Sequence, residues 1–288
     1  MTVIIPCCDA ADCIANAIDS ARQQTLAPTE VIVVEVGASA ATRSVAEHRG
    51  ARYEVAEGCG LAAARNLGLA VATSDFVAFL DAHDWYEPIK IERSLSLLQR
   101  LGAACLATET WLVIGDTIEP NVTDRLASEV LTEESLLGVD PIIDSTIVGR
   151  RAALLEAGGF NGDPGLDGSD EYDLWLRLAR REPIAFLREP LTFRRRIEAS
   201  PETATRHLRS RDLVLDRVAH IHANEPHFSQ LIARRRAALR LDVARALHRS
   251  GRRVEARSKI AEARRLAPSW QGNMMWLSTL LPMIGRRA

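Results

Sequence analysis

Acidic, imidazole and other polar side chains gather at the ends of three apolar runs in this chain. Pro6, Cys7, Cys8 and Asp9 close the run that starts at Thr2, Glu35 to Ser39 follow Val31–Val34, and Asp81, Ala82, His83 and Asp84 follow the run that starts at Phe76. Carboxylates placed there accept hydrogen bonds from ligand N–H groups, and imidazole nitrogens are good donors to metal ions. A further acidic pair, Asp170 and Glu171, comes directly after Ser169, a suitable helix N-cap, and ahead of Leu174, Trp175, Leu178 and Ala179 on one apolar helix face. That spacing predicts both carboxylates in the first turn of a helix, a position that the helix dipole favours on structural grounds alone.

The elements that must hold these residues are legible as an alternation of two periods. Thr2–Pro6 reads as a buried strand. Ile14, Ile18, Ala21 and Thr25 follow at helical spacing, and Val31–Val34 is again strand-like. Tyr53–Val55 is a short strand, Leu61, Ala64, Gly68 and Val71 mark a helix face, and Phe76–Leu80 is an apolar strand. This rhythm predicts an α/β fold with a mostly parallel sheet between helices, in which a ligand sits beyond the carboxyl ends of the strands. With 288 residues, 47% of them hydrophobic, the chain can bury a sizeable core, which excludes disordered and fibrous classes. No run approaches the roughly 18 apolar residues that span a bilayer, and a strand at Thr2 leaves no room for a signal peptide, so a cytoplasmic location is expected. The five cysteines form no CxxC pair and read as reduced thiols.

The strand ends resemble those of the family 2 glycosyltransferases, whose strands end in Pro-Val-Tyr-Asn, Asp-Asp-Gly-Ser and Asp-Ala-Asp-Asp. The corresponding segments are VIIPCCD, VIVVEVGAS and FVAFLDAHDWYEP, while GLAAARNLGLAVATSDF is similar to the family's Gly-Leu-Ser-Ala-Ala-Arg-Asn segment. TIVGRRAALLEAGGFN and DEYDLWLRLARREPIAFL look like its Gly-Gly-Phe and Glu-Asp-x-Asp-Leu-Trp regions. The resemblance spans residues 2–200 and implies a GT-A fold, a Rossmann-like sheet flanked by helices; residues 201–288, where strand signals stop and helical periods take over, read as a C-terminal α-helical extension. The resemblance also implies an inverting enzyme that moves a sugar from a nucleotide-diphosphate donor, a UDP-sugar by preference, to a hydroxyl of a glycan or glycolipid. Cell-surface polysaccharide or lipopolysaccharide synthesis is the family-level setting.

The same resemblance implies roles residue by residue. Asp81 and His83, the latter standing in place of the second metal-binding Asp, would hold Mn²⁺ or Mg²⁺ on the donor diphosphate. If no metal is used, Arg194, Arg195 and Arg196 would neutralise the phosphates. Pro6, Cys8, Asp9, Glu35, Gly37, Arg65 and Ala82 would line the donor, with Asp9 or Glu35 accepting a nucleobase N–H; Val36 replaces a family Asp and has no such capacity. Glu171 falls at the position of the general base, with Asp170 beside it as the other candidate. Trp85, Gly159 and Phe160 fall on the acceptor side, and Gly158 and Gly159 also suit a helix C-terminal turn.

Charge divides the chain. Residues 1–200 carry 18 Lys and Arg against 31 Asp and Glu, a net of −13, whereas residues 201–288 carry 18 against 7, a net of +11. The basic part has helical periods to about residue 266, includes a stretch resembling parts of tetratricopeptide units, and ends in an apolar segment, Trp270–Ala288, suited to a membrane interface. Two partners fit this pattern equally: an anionic membrane surface, or the acidic domain itself, with the arginines paired to it and the apolar residues completing a helical core. Nucleic acid is not expected, because aromatic residues do not interleave with the arginines. The substitutions at Val36, His83 and Glu171 leave a second reading, a degenerate family member that binds a nucleotide sugar or a partner without turnover.

Overall fold

The computed structural model of the protein describes residues 1–58, 60–121, 129–196 and 198–268. Residues 1–196 make one compact unit, and the described residues from 198 onward belong to a second.

The first unit begins with three βα pairs: β1 (Thr2–Cys7), α1 (Ile14–Arg22), β2 (Glu30–Val36), α2 (Ala40–His48), β3 (Arg52–Ala56) and α3 (Leu61–Val71). It continues through β4 (Phe76–Phe79), β5 (Trp85–Tyr86), α4 (Lys90–Leu101), β6 (Cys105–Ile114), β7 (Thr117–Asn121), β8 (Val130–Leu131) and α5 (Glu133–Gly138). A 3₁₀ turn at Asp144–Thr146 leads to β9 (Val148–Arg150), α6 (Arg151–Glu156), α7 (Asp170–Arg181) and β10 (Ile184–Arg195). The sheet runs β3-β2-β1-β4-β9-β6-β10-β5. Strands β3, β2, β1 and β4 are parallel neighbours, and β6 pairs parallel with β10, but β9 lies antiparallel between β4 and β6. The expectation of a mostly parallel sheet between helices is met, with antiparallel pairing added by short strands that its periodicity did not reveal.

β1 and β2 are buried almost end to end, as continuous β-branched runs in a sheet covered on both faces should be. Val3, Ile5, Val31, Val33 and Ala78 pack with Ile14, Ile18 and Ala21 of α1 in the main core. On the other side Gly68 lets α3 approach β1, since a Cβ there would overlap the Ile4 side chain. The chain reverses after β1 through Asp9, whose φ of 48° is the one left-handed non-glycine residue among those described. Cys7, Cys8, Cys13 and Cys105 are free thiols.

The second unit contains α8 (Pro201–Ile221), α9 (Pro226–Arg249) and α10 (Arg253–Leu266). Ala237, Leu241 and Ala244 of α9 meet Ile260 and Ala263 of α10 in a small apolar core. Gly251 makes the turn between these helices at φ 80°, where a side chain would be strained. The apolar stretch from Trp270 lies outside the described residues. No helix among the described residues is long and apolar enough to cross a membrane.

Candidate active site

The carboxyl ends of β1, β2 and β4 come together as the strand order requires, and the residues at those ends divide into exposed and buried sets. Cys8, Asp9, Gly37 and His83 are exposed; Asp81 is half-buried; Pro6, Glu35, Ala82 and Asp84 are buried. Cys13 Sγ lies 4.0 Å from His83 Nε2.

Glu35 differs from the expectation of a ligand-facing acceptor. Its Oε1 accepts the Asp9 amide at 3.0 Å, its Oε2 accepts the Ser39 amide at 3.1 Å, and the Tyr53 hydroxyl also donates to it. The carboxylate is spent on tying the β1 and β2 loops together. Burial, followed by the hydrogen bond to Glu35, pushes the Tyr53 hydroxyl up to about 12. Of the two carboxylates expected near a nucleobase, Asp9 is the exposed one.

Arg65 is the centre of the buried set. It rises from α3 with 6% of its surface exposed, and its guanidinium reaches Asp144 at 2.7 Å, Asp170 at 3.0 Å and Asp81 at 3.8 Å. Three carboxylates far apart in the chain thus share one cation, which lies 5.3 Å from the centre of the Phe160 ring. Burial alone would lower the Arg65 pKa, but Asp144, Asp81, Asp170 and Glu171 together raise it, so this arginine stays charged. Burial raises the Asp144 carboxyl well above the usual range, with Arg65 opposing and Glu171 adding to the rise. The same balance brings Asp170 to about 6. Arg65 Nε, Asp81 Oδ1 and Asp144 Oδ1 are buried without a hydrogen-bond partner. Three such atoms in one cluster are unusual in a folded interior, where buried polar groups are ordinarily hydrogen-bonded.

α7 opens after Ser169 with Asp170, Glu171 and Asp173 in its first turn, but the Ser169 side chain makes no capping hydrogen bond and its hydroxyl donates to the Gly168 carbonyl. Asp170 is 3% exposed, while Glu171 is half-buried. A cleft of about 190 Å³ lies beside them, lined by Gly60, Ala62, Asn161, Asp163, Asp167 and Asp170. The acceptor-side residues behave differently from one another. Phe160 is buried, edge-on to both Phe79 and Trp175, so it supports Arg65 from beneath and offers no face to an acceptor. Gly159, at φ 64°, lets Asn66 exchange hydrogen bonds of 2.8 and 2.7 Å with the Phe160 backbone, since a Cβ at Gly159 would strike the Asn66 amide. Trp85 is half-buried and stacks on Phe193 with centroids 5.2 Å apart.

Arg194, Arg195 and Arg196 are exposed at the end of β10, with Arg194 and Arg195 inside the strand. Arg195 sits 5.7 Å from the Trp85 ring centre, and its amide donates to Asp84 Oδ1 at 3.2 Å. Asp84 is raised to about 7 by burial and then by Asp81, against the hydrogen bonds from Ser145 and Arg195. Among the described residues no three His, Cys, Asp or Glu side chains converge as a ready-made cation site. Sequence reasoning did not single out Asn66, Lys90, Asp144 or Ser145.

The large sheet flanked by helices, with carboxylates beyond the carboxyl ends of its parallel strands, is a GT-A fold, as the superposition on TarS given below shows. The family model described as "Glycosyl transferase family 2" matches residues 2–157, and the chain belongs to that family. An uncharacterized glycosyltransferase of Rickettsia prowazekii is 28% identical over 214 residues, covering 71% of this chain and 66% of that protein. A second, from Rickettsia typhi, is 27% identical over 66% of this chain and 62% of its own length, so the chain spans less than two thirds of these relatives. The amylovoran biosynthesis glycosyltransferase AmsB of Erwinia amylovora is 32% identical over 35% of this chain and 36% of its own. Among solved structures, S. aureus TarS 1–349 superposes with a TM-score of 0.66 at 16% identity, over 96% of this chain and 88% of that one. TarS 1–349 in complex with UDP-GlcNAc gives 0.61 at 17% identity, over 94% and 91%. These two structures share the fold.

Proposed function

We propose that this chain transfers a sugar, with inversion, from a nucleotide-diphosphate sugar to a hydroxyl of a glycan or glycolipid acceptor. The observation that carries this reading is the buried Arg65 cluster: it joins Asp81, Asp144 and Asp170 and holds three polar atoms, Arg65 Nε, Asp81 Oδ1 and Asp144 Oδ1, without hydrogen-bond partners. Family membership supports the reaction class, the UDP-GlcNAc-bound TarS favours a UDP-sugar donor, and the name of AmsB favours surface polysaccharide synthesis.

In this reading Glu171 takes the proton from the acceptor hydroxyl as the sugar's bond to the diphosphate breaks on the opposite side. Asp170 holds Arg65, and Asp9, Cys8 and Gly37 border the nucleoside. Asp81 and His83 would hold a divalent cation as a two-donor set: Asp81 Oδ1 is buried without a hydrogen-bond partner, with the Arg65 guanidinium 3.8 Å away, and the His83 imidazole is exposed. Mn²⁺ or Mg²⁺ bound there supplies positive charge to the departing diphosphate. The exposed Arg194 and Arg196 lie on the chain segment whose Arg195 amide binds Asp84, which suits them to contact phosphate oxygens.

A nucleotide-release screen across UDP-, GDP- and dTDP-sugars, with and without Mn²⁺, tests this reading. Release is expected from a UDP-sugar and is expected to fall at least tenfold in EDTA. Full activity in EDTA would transfer the charge-neutralising role to Arg194–Arg196, and no release from any donor would leave the chain a binding protein.

The basic second unit is suited to place the enzyme at the cytoplasmic face of an anionic membrane. All seven acidic residues after position 200, Glu202, Asp212, Asp216, Glu225, Asp242, Glu255 and Glu262, already pair with basic neighbours inside that unit. The excess of positive charge is therefore not neutralised there. Each cation near an anionic leaflet contributes on the order of 1 kcal/mol. Co-sedimentation with phosphatidylglycerol vesicles is expected, weakened by salt and by deleting residues 270–288, and none with phosphatidylcholine. Failure to bind anionic vesicles at low salt overturns this placement.

A further inference from the structure

Lys90 is the first residue of α4, and it is fully buried. Among the described residues its side-chain nitrogen has one hydrogen-bond partner, the Thr146 carbonyl at 2.9 Å, and no ion pair; the Tyr86 ring is centred 5.1 Å away. A Met or Leu would fill the same space without the cost of burying an amine, and what the lysine adds is its hydrogen bond to the Thr146 carbonyl. That contact is with the 3₁₀ turn Asp144–Thr146, on which four separate segments of the chain converge. Asp144 pairs with Arg65 of α3. Ser145 accepts the Asp81 amide at 3.0 Å through its hydroxyl oxygen, and the same hydroxyl donates to Asp84 Oδ2 at 2.7 Å. The Ser145 carbonyl accepts the Thr192 hydroxyl of β10 at 2.9 Å, and Lys90 closes the turn from α4.

We propose that Lys90 is a positioning residue for sugar transfer, pinning the Asp144–Thr146 turn so that Ser145 and Asp144 fix the Asp81–Asp84 loop and Arg65. The inference rests on the transferase reading above. Lys90 touches no ligand in this arrangement; it acts through the turn. Burial depresses its pKa to about 7, so above neutral pH the buried group is mostly the neutral amine, whose N–H still donates to Thr146, and holding it uncharged costs stability at every pH below the ordinary lysine value.

The test compares wild type with Lys90→Met and, as a variant that removes one hydroxyl only, Ser145→Ala. Three quantities are read: the urea midpoint, amide hydrogen exchange at Asp81, and steady-state nucleotide release with the donor that is best in the screen. Lys90→Met is expected to keep or raise the urea midpoint, because a buried amine is removed. It should speed exchange at the Asp81 amide at least tenfold and lower kcat at least tenfold, with donor KM within threefold. Ser145→Ala should give the same pattern. A purely structural lysine would instead lower the midpoint and leave the kcat of the folded fraction unchanged, and that result overturns the proposal. So does a folded Lys90→Met with kcat within twofold of wild type. If wild type itself releases no nucleotide, the transferase reading fails separately; unchanged exchange at Asp81 in Lys90→Met then overturns the clamp, and faster exchange upholds it.

Discussion

Glu171→Gln is expected to lower sugar transfer by roughly 10² to 10⁴-fold while donor affinity stays near that of wild type. The amide keeps the size and hydrogen-bonding reach of the side chain but cannot take the acceptor's proton, and a positioned general base contributes about that factor. Both carboxylates of the pair sit in the first turn of α7, but their surroundings differ. Asp170 is almost fully buried and held by Arg65 at 3.0 Å, while Glu171 is half-buried and so more accessible to an acceptor. Asp170→Asn should act differently, weakening donor binding because Arg65 loses a counter-charge. Asp170 also supplies the competing outcome. Burial brings its carboxyl to about 6, so a rate that depends on ionised Asp170 rises with pH through about 6 and is lost below it. A pH profile with that midpoint, abolished in Asp170→Asn and present in a still active Glu171→Gln, would reassign the base to Asp170.

The parts of this site legible from sequence are those fixed by local pattern. Strand ends could be read because β-branched runs stop abruptly at polar residues, and the first turn of α7 because an N-cap serine precedes a clean apolar face. What could not be read depends on which surfaces meet. Lys90 opens an amphipathic helix, where a lysine is ordinarily a solvated side chain, and only the packing of α4 beneath the 3₁₀ turn buries it. The turn itself has no period, cap pattern or glycine to announce it. Glu35 occupies a strand end where a ligand-facing carboxylate is plausible, yet the loops after β1 and β2 curl back and donate two amides to it. Phe160 follows two glycines in what reads as an acceptor-side loop, but the left-handed backbone at Gly158 and Gly159 turns its ring inward against Trp175. Antiparallel β9 escaped notice because three residues are too few to show alternation.

Arg65→Met is expected to cost about 3–5 kcal/mol of stability at pH 8, the range found when one partner of a buried charge pair is removed. Asp144 and Asp170, both under 5% exposed, would be left as buried carboxylates without their cation. The sign of the pH dependence follows from the carboxylates. Burial already raises both of their pKa values in the folded protein, and Arg65 is the group that opposes the rise. Without it both go higher, so the folded variant binds more protons than the unfolded chain from about pH 4 up to those raised values. Its stability therefore falls as pH rises through that window, and the deficit against wild type should be smaller at pH 5 than at pH 8. Arg65→Met/Asp144→Asn should recover part of the loss at pH 8, because one of the stranded charges is gone. Urea unfolding of the two variants and wild type at both pH values measures all three quantities. An Arg65→Met variant within 1 kcal/mol of wild type at pH 8, or one whose deficit grows on acidification, would mean that solvent or a rearranged neighbour already neutralises these carboxylates and that Arg65 is not the centre of the cluster.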